Sequence, residues 1–523
     1  MLTSIKRRIT KETALSEALL SHFGANALNA ILSVLFAPIY VRYLGPEGYG
    51  IIGFYNAVSA FFYTSDFGAG ATVNRELARL FPEKIDLARK MIRSLEVLLL
   101  LGVTLVAPVM IAFSYGAAYY WVNPKTYSRF DVFECFLLMS VSLIFNIMIG
   151  FYTNALLGTG RQLLSNILSS IMSLLRYIGS VPVLLMSQDK IKAFLLWQVL
   201  MASLQSLLLL ISVWKLVSGF YSSKPDINLL KSIYRFTTGV TIAGLLGLLV
   251  INVDKGILSR ILDLEHFGYY SFSAGIIVMI FLPLINPVYR SIYPVFSKLT
   301  SKSDFVALEN TYHKVAQTLS LIVIPSCFFL CFFCESLLRL WLRQDDFVSN
   351  VTSVLPLLCV AYMFTVLKIP PHSLRIAHGW TRLDVYENLI LVITLTTALA
   401  YSGYYYGLKG ALWALVVINL IDCITVVYFT HKIILRGSYL KWLFVDNGVP
   451  FAISFIIIFA GKHMLAPLKL GNWIESIIGI LLLFLAMSFS LLGLRELRDY
   501  VFHNLAGKVL HLINLKIGKV KVD

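Results

Sequence analysis

The sequence predicts an all-α, polytopic membrane protein, and three observations carry that prediction: its composition, the spacing of its apolar runs and an internal repeat. Residues of the AVILMFWYC set make up 58% of 523 positions and charged residues only 14%, which leaves more apolar surface than the core of a soluble protein could hide. Lipid is therefore the solvent for most of the chain. A soluble chain of this length would also divide into units joined by polar linkers, whereas the longest polar stretches, near residues 74–93 and 297–314, are short.

A bilayer core takes roughly 20 apolar residues per spanning helix. Such runs are centred near residues 30, 57, 104, 143, 175 and 203, then near 247, 279, 325, 360, 393 and 419, with a last pair near 455 and 483. The chain should thus hold about fourteen transmembrane helices joined by short loops. The expected divisions are a cytoplasmic N-terminal segment (1–18), a six-helix lobe (19–217), a second six-helix lobe (218–435), a helix pair (436–495) and a cytoplasmic tail (496–523). In that tail Val501, Leu505, Val509 and Leu512 alternate with Lys508, Lys516, Lys519 and Lys521, the pattern of an amphipathic helix lying on the inner leaflet. At the other end, the apolar run after Lys6, Arg7, Arg8 and Lys11 is too long for a signal-peptide core and lacks a cleavage site, so it should stay on the mature protein. With both termini inside, roughly two thirds of the 44 Lys and Arg residues fall on the cytoplasmic side, as positively charged loops require.

The repeat is the most informative pattern. Arg42-Tyr-Leu-Gly-Pro-Glu47-Gly-Tyr-Gly50 follows the first run, and Arg260-Ile-Leu-Asp-Leu-Glu265-His-Phe-Gly268 follows the seventh, with Arg, Leu, Glu and Gly in register. A weaker echo pairs Leu157-Gly-Thr-Gly160 with Ile376-Ala-His-Gly379 at nearly the same offset. Two matches at one spacing argue for duplicated, pseudo-symmetric six-helix lobes. Both lobes would enter the membrane in the same sense, the arrangement that leaves a path between two halves.

Several chemistries are excluded. The net charge of +16 is scattered through short loops and not gathered on a reading element, so nucleic acid is not a partner. The six cysteines lie in apolar runs; Cys327, Cys331 and Cys334 share one helical face but have no His or Asp beside them, so they read as packing residues and no metal or cofactor is expected. Gly68-Ala-Gly70 and Gly158-Thr-Gly160 lack the strand-to-helix setting of a phosphate cradle. No Walker sequence is present, which argues against ATP hydrolysis within the chain.

The stretch Tyr40-Val-Arg42-Tyr-Leu-Gly45, running without gaps to Gly50, then Asp66-Phe-Gly68 and Arg75-Glu-Leu-Ala78, resembles the opening of the Wzx-type polysaccharide flippases of the multidrug/oligosaccharidyl-lipid/polysaccharide exporter superfamily. Val253-Asp254-Lys255, Leu258, Gly268-Tyr-Tyr-Ser271, Ala274 and Tyr293-Pro294 are similar to that family's seventh and eighth helices, and Leu374, Gly379, Asn388 and Gly410-Ala411 fit its later ones. The likeness covers most of residues 15–430. It implies a two-lobed fold with a central cavity and alternating access. It also implies a polyprenyl-diphosphate-linked oligosaccharide as cargo, membrane lipids as surroundings, polysaccharide polymerase and chain-length proteins as partners, and the bacterial cytoplasmic membrane as location.

Charges inside the spans are the sharpest functional candidates, since an Arg or Asp at the bilayer centre costs about 2.5–3.5 kcal/mol even on lenient scales. Arg176 and Asp422 sit near the middles of their runs; Arg176 either lines a wet cavity and meets anionic cargo or serves a structural ion pair. Asn252, Asp254 and Lys255 lie in one run, where Lys255 either snorkels to head groups or faces the cavity with Asp254. Lys368 precedes Pro370-Pro371, where a helix must break; a cavity wall and simple snorkelling both suit it. Asp66, Arg75 and Arg290 fit a cytoplasmic portal able to grip a diphosphate, and Arg42 and Arg260 an outer mouth, with interfacial anchoring as the plain alternative for each. The tyrosines and tryptophans at the ends of the runs, such as Tyr404, Tyr405 and Tyr406, read as an interfacial belt.

A flippase accounts best for these features. A cation-coupled small-molecule or drug exporter of the same fold would want carboxylates in the first or seventh run, and the first, from Leu19 to Tyr40, has none. A membrane enzyme would want a sizeable extramembrane loop with acid, base or metal ligands, and no loop is long enough.

Overall fold

A computed structural model describes residues 2–63, 68–217, 224–226 and 252–503. They are helical almost throughout, with a single bridge between Asn123 and Asp263 as the only β pairing among the described residues. Backbone donors and acceptors in hydrocarbon have no water to turn to, so each helix satisfies its own. Eleven helices among the described residues are long and apolar enough to cross a membrane. Two of these, Gly24–Ser59 and Leu383–Ile433, are not straight, and the 51 residues of the latter would extend about 77 Å as one unbroken helix, against a core of ~30 Å. Both bend at a glycine. Helix α1 (Leu2–Tyr63) breaks at Gly45, φ 67° and ψ −179°, a conformation glycine adopts without a Cβ penalty. Pro46 then starts the second segment at the first helical position, where an N–H would have no partner within the helix. Helix α12 (Thr381–Ile433) breaks in the same way at Gly407. Each of these two helices therefore contains two of the expected runs, while the run centred near residue 247 lies outside the described residues, as do Asp66 and most of the expected amphipathic tail.

The chain forms two compact units, Met1–Ser271 and Phe272–Asp523. In the first, α2 (Ala69–Leu80), α3 (Ile85–Gly116), α4 (Arg129–Gly158), α5 (Gln162–Met186) and α6 (Lys190–Val217) follow α1. The short α2 is amphipathic, and its apolar face, Ala69, Val73 and Leu77, is fully buried against Ile92 and Leu95 of α3, Phe151 and Ala155 of α4 and Val213 and Trp214 of α6. At the heart of this packing Glu96 is buried, accepting hydrogen bonds from Tyr152 (2.8 Å) and Trp214 Nε1 (2.7 Å) and pairing with Arg93 at 3.1 Å. A carboxylate in such surroundings is tolerable because both its oxygens accept hydrogen bonds.

Residues 252–261 form α7, and the chain breaks at Leu262-Asp263 before α8 (Leu264–Ser301). That break stands in the same register as Gly45 in the repeat. The two copies also touch reciprocally. A Cβ on Gly50 would strike the carbonyl oxygen of Leu264, and one on Gly268 would strike that of Pro46; 46 and 264 are repeat equivalents, as are 50 and 268. One turn on, a Cβ at Gly53 would strike Ser271, again its equivalent. Small residues let helices in lipid approach to backbone distance, and here they do so about a local twofold.

In the second unit α9 (Phe305–Leu342), α10 (Asp345–Leu367), α11 (Ile369–Ala377), α12, α13 (Val449–Leu465) and α14 (Asn472–Gly493) follow α8. The break between α10 and α11 falls at Lys368, just before Pro370-Pro371, where the pattern requires it. Cys327, Cys334 and Cys359 are buried, and Cys331 Sγ donates to the Pro356 carbonyl between α9 and α10 at 3.7 Å. The last two spans, featureless in sequence, are keyed to α9 by polar groups. Glu309, His313, Gln317 and Ser320 recur at helical spacing along one face of α9. They meet Ser438, Asp446 and Asn447 in and before the π-helical segment Lys441–Gly448, and Glu496 beyond α14. His313 and Asp446 are fully buried, and Gln317 Oε1 also accepts from the Leu497 N–H at 2.9 Å.

Candidate functional site

A cavity of ≈300 Å³ lies within the first unit, walled by α1, α4, α5 and α6. Its aromatic side is made by Tyr40, Tyr177 and Phe194: the Tyr40 and Tyr177 rings stack with centroids 6.2 Å apart, and Phe194 meets Tyr40 edge-on at 5.1 Å. Asn56, Asn146, Ser142 and Gln198 supply amides and a hydroxyl, and Arg176 supplies the one charge among the lining residues. The spacing of α5 puts Arg176 and Tyr177 side by side at the wall. The guanidinium is oriented from α6: Arg176 donates to Gln205 Oε1 at 3.3 Å, and Trp197 Nε1 donates to the Arg176 carbonyl at 3.0 Å. Tyr40 Oη shares a 2.9 Å hydrogen bond with Ser180 Oγ one turn along α5. Stacked phenols with convergent amides can bind a ring bearing hydroxyls, and a guanidinium can grip an anionic group through two parallel hydrogen bonds. Sequence reasoning singled out Arg176 but not Tyr40, Tyr177, Asn146 or Gln205, because neutral residues inside apolar runs carry no signal of their own.

The second unit gathers a different set. Lys368 forms an ion pair with Asp422, 54 residues on, and lies 3.9 Å from Glu387. Arg375, 1% exposed, pairs with Asp384 at 2.7 Å and with Glu387. Thr365 donates to Asn419 beside them at 3.0 Å, and His372 stacks on Tyr289. Lys368 and Asp422, proposed separately from the sequence, are thus partners. Arg375, Asp384 and Glu387 complete the network and were missed, since they fall near the ends of runs, where charge is ordinary.

The other candidates separate. Lys255 donates to Asn252 Oδ1 at 3.1 Å, whereas Asp254 accepts from Tyr270. Arg75 is 40% exposed at its side chain and pairs with the adjacent Glu76 at 2.5 Å. Arg290 lies on α8, and its side chain is outside the described residues, as is the whole of Asp66. Arg42 is exposed, 6.0 Å from the centroid of the Tyr43 ring. Arg260 donates to the Trp121 carbonyl at 3.4 Å and so joins the loop after α3. That loop carries the bridge to Asp263, whose carboxylate also pairs with Lys125 at 2.6 Å. Partial burial works to raise the Asp263 pKa, but the His266 N–H, the Lys125 ammonium and the His266 ring outweigh it and hold the group below the ordinary carboxylate value. Lys125 is raised in turn, chiefly by its hydrogen bond to Asp263.

The family model for polysaccharide biosynthesis proteins matches residues 16–300. The chain belongs to that family. Its relatives include a Shigella flexneri protein named "Putative O-antigen transporter", 20% identical over 427 residues that cover 80% of this chain and 94% of the relative. Among solved structures, the family member superposes on the lipid II flippase MurJ in an inward closed conformation with a TM-score of 0.65 at 15% identity, covering 90% of this chain and 98% of that one. An inward-facing MATE multidrug transporter of the MOP superfamily gives 0.64 at 15% identity over 79% of this chain and 96% of its own. The fold is thus the polytopic helical fold of these transporters, the protein is an integral membrane protein, and the proteins it resembles are transporters and flippases and not catalysts.

Proposed function

We propose that this protein is a flippase that moves a polyprenyl-diphosphate-linked oligosaccharide, a repeat unit of O-antigen, capsule or exopolysaccharide, from the inner to the outer leaflet of a bacterial cytoplasmic membrane. The observation that carries the reading is the cavity in which the Arg176 guanidinium stands beside stacked tyrosines and amide side chains, a surface suited to sugar rings and an anionic group together. The Shigella relative, named "Putative O-antigen transporter" and matched over most of its length, supports the same cargo class. Two six-helix lobes, residues 19–217 and 218–435, would alternate access, with both termini in the cytoplasm. Arg75, Arg290 and Asp66 would receive the diphosphate on the inner side, and Asn252, Asp254 and Lys255 would lie along the path, with Arg42 and Arg260 near its outer end. Lys368 and Asp422 would form part of the second lobe's wall. A cation-coupled drug exporter would want a carboxylate in its cavity, and none is among the described residues that line this one.

The test is reconstitution in sealed vesicles with a labelled polyprenyl-diphosphate sugar, following its protection from an external glycan-modifying reagent. Arg176→Gln should abolish most of the translocation at normal protein levels. Undiminished transport by that variant would remove the assignment.

A further inference from the structure

The loop between α3 and α4 is bound on both sides. Glu47, 5% exposed, accepts from the backbone N–H groups of Lys125 (2.6 Å) and Thr126 (2.8 Å), two charge-assisted bonds that a buried carboxylate makes well. Across the loop, Leu264 N–H donates to the Asn123 carbonyl at 3.0 Å, Trp121 Nε1 donates to Ser259 at 3.1 Å, and Lys125 pairs with Asp263. One short segment therefore fastens the first repeat element, through Glu47, to the second, through Ser259, Asp263 and Leu264. Beneath it the two elements meet at Gly50 and Gly268 with backbone against backbone. The equivalent carboxylate of the second copy, Glu265, is engaged elsewhere, by Tyr269 at 3.0 Å. The fastening is thus one-sided, a single strap laid over a symmetric crossing. Its bonds are polar, sit at a helix end and lie next to exposed Lys125, so they can exchange for water, whereas at the crossing beneath them one partner in each close approach is a glycine with no side chain to interlock. Polar bonds over smooth packing make a joint that holds when shut and parts without tearing a core.

We propose that residues 121–126 are a strap that locks the two repeat elements together at this end of the protein and must release in each transport cycle for the lipid-linked sugar to leave. This rests on the flippase reading for its cargo, but the strap itself is measurable without transport. Val122 is 1% exposed, so Val122→Cys reports opening through its reaction with a membrane-impermeant maleimide, against the parent chain with its native cysteines. Glu47→Gln combined with Asp263→Asn should raise that labelling rate by about threefold or more, as loosening of a gating contact does; an unchanged rate overturns the strap. Asn123 and Asp263 are bridge partners, and neighbouring β-paired chains run about 4.7–4.9 Å apart, a spacing that suits the Cα separation of about 4.4–6.8 Å a disulfide spans. The double variant Asn123→Cys/Asp263→Cys, oxidised with copper phenanthroline, should lose about tenfold or more of its transport and regain it with dithiothreitol, while each single variant keeps its rate. Full transport in the oxidised double variant, or equal loss in a single variant, overturns the need for release. Absence of transport by the unaltered protein overturns the flippase reading instead, and the labelling still judges the strap.

Discussion

Two regions take cations partly or wholly out of solvent, and they solve the problem differently. In the second unit Lys368 and Arg375 are enclosed by Asp422, Glu387 and Asp384 in one network of opposite charges. In the first, Arg176 is oriented by a neutral amide, Gln205, and stands at the wall of a cavity among tyrosines and asparagines. Ion pairing in a low dielectric is strong but inflexible, because removal of one member strands the other. Gln205 holds the guanidinium at the cavity wall through a hydrogen bond from a neutral amide. The contrast teaches that a charge within an apolar run announces a need for partners and does not say whether those partners belong to the protein or to its cargo.

The comparison breaks most readily at Arg375. Arg375→Gln leaves Asp384 and Glu387 facing one another, and the expected loss of stability is about 3–5 kcal/mol, read as a lowered unfolding temperature in detergent and reduced membrane levels. If the unfolding temperature stays put, the network is not structural. Next comes Arg176→Gln, for which the expected order is reversed: unfolding shifts by no more than about 1 kcal/mol, while transport falls roughly 10- to 100-fold, the worth of one charge-assisted hydrogen bond of about 1.5–3 kcal/mol. A large stability loss with intact specific transport would place Arg176 in the same class as Arg375. Tyr177→Ala should weaken cargo affinity by about 2- to 10-fold, from an aromatic contact worth about 0.5–1.5 kcal/mol, measured as a raised half-saturating concentration at an unchanged maximal rate.

The smallest effect concerns an ion pair outside both regions. Asp263 has its folded pKa depressed by the His266 N–H and by Lys125 against the opposing effect of burial. Its contribution to the strap is therefore complete above the ordinary carboxylate value and disappears as pH falls through the depressed one. Lys125, raised by the same pair, keeps its charge throughout that range, and Glu47 and Glu265 face it as well. Labelling of Val122→Cys, divided at each pH by the rate of a free thiol with the same maleimide because only the thiolate reacts, should rise on acidification in that acid range and stay flat around neutrality. Asp263→Asn should remove the acid-side rise; its persistence would transfer the effect to another group.

Much of the architecture was legible because lipid makes each spanning helix a local matter. A run of apolar residues must satisfy its own backbone, so composition and spacing alone locate α3, α4, α5, α6, α9, α13 and α14. The repeat was legible for a related reason: Gly50 and Gly268 are each demanded by a backbone contact, and that demand leaves the same mark in both copies, whereas the bend made at Gly45-Pro46 falls at Asp263-Leu264 in the second. The seat of each ion was not legible. Lys368 and Asp422 are 54 positions apart, and no local rule joins them; Arg375 and Glu387 lie where charge is unremarkable. The polar face of α9, with His313 and Gln317, looked like ordinary helix until Asp446 and Glu496 met it.

By itself the sequence determined that the chain spans a membrane many times, that one pattern occurs twice, and which charges lie deep enough to need partners, since hydropathy and periodicity are properties of neighbours along the chain. Only the tertiary structure decided that Lys368 meets Asp422, that Arg176 borders a cavity, and that the two copies of the repeat cross at their glycines. Those outcomes depend on which helices lie side by side, and the interaction energies that choose them fall off over a few ångströms of space, with no regard for distance along the chain.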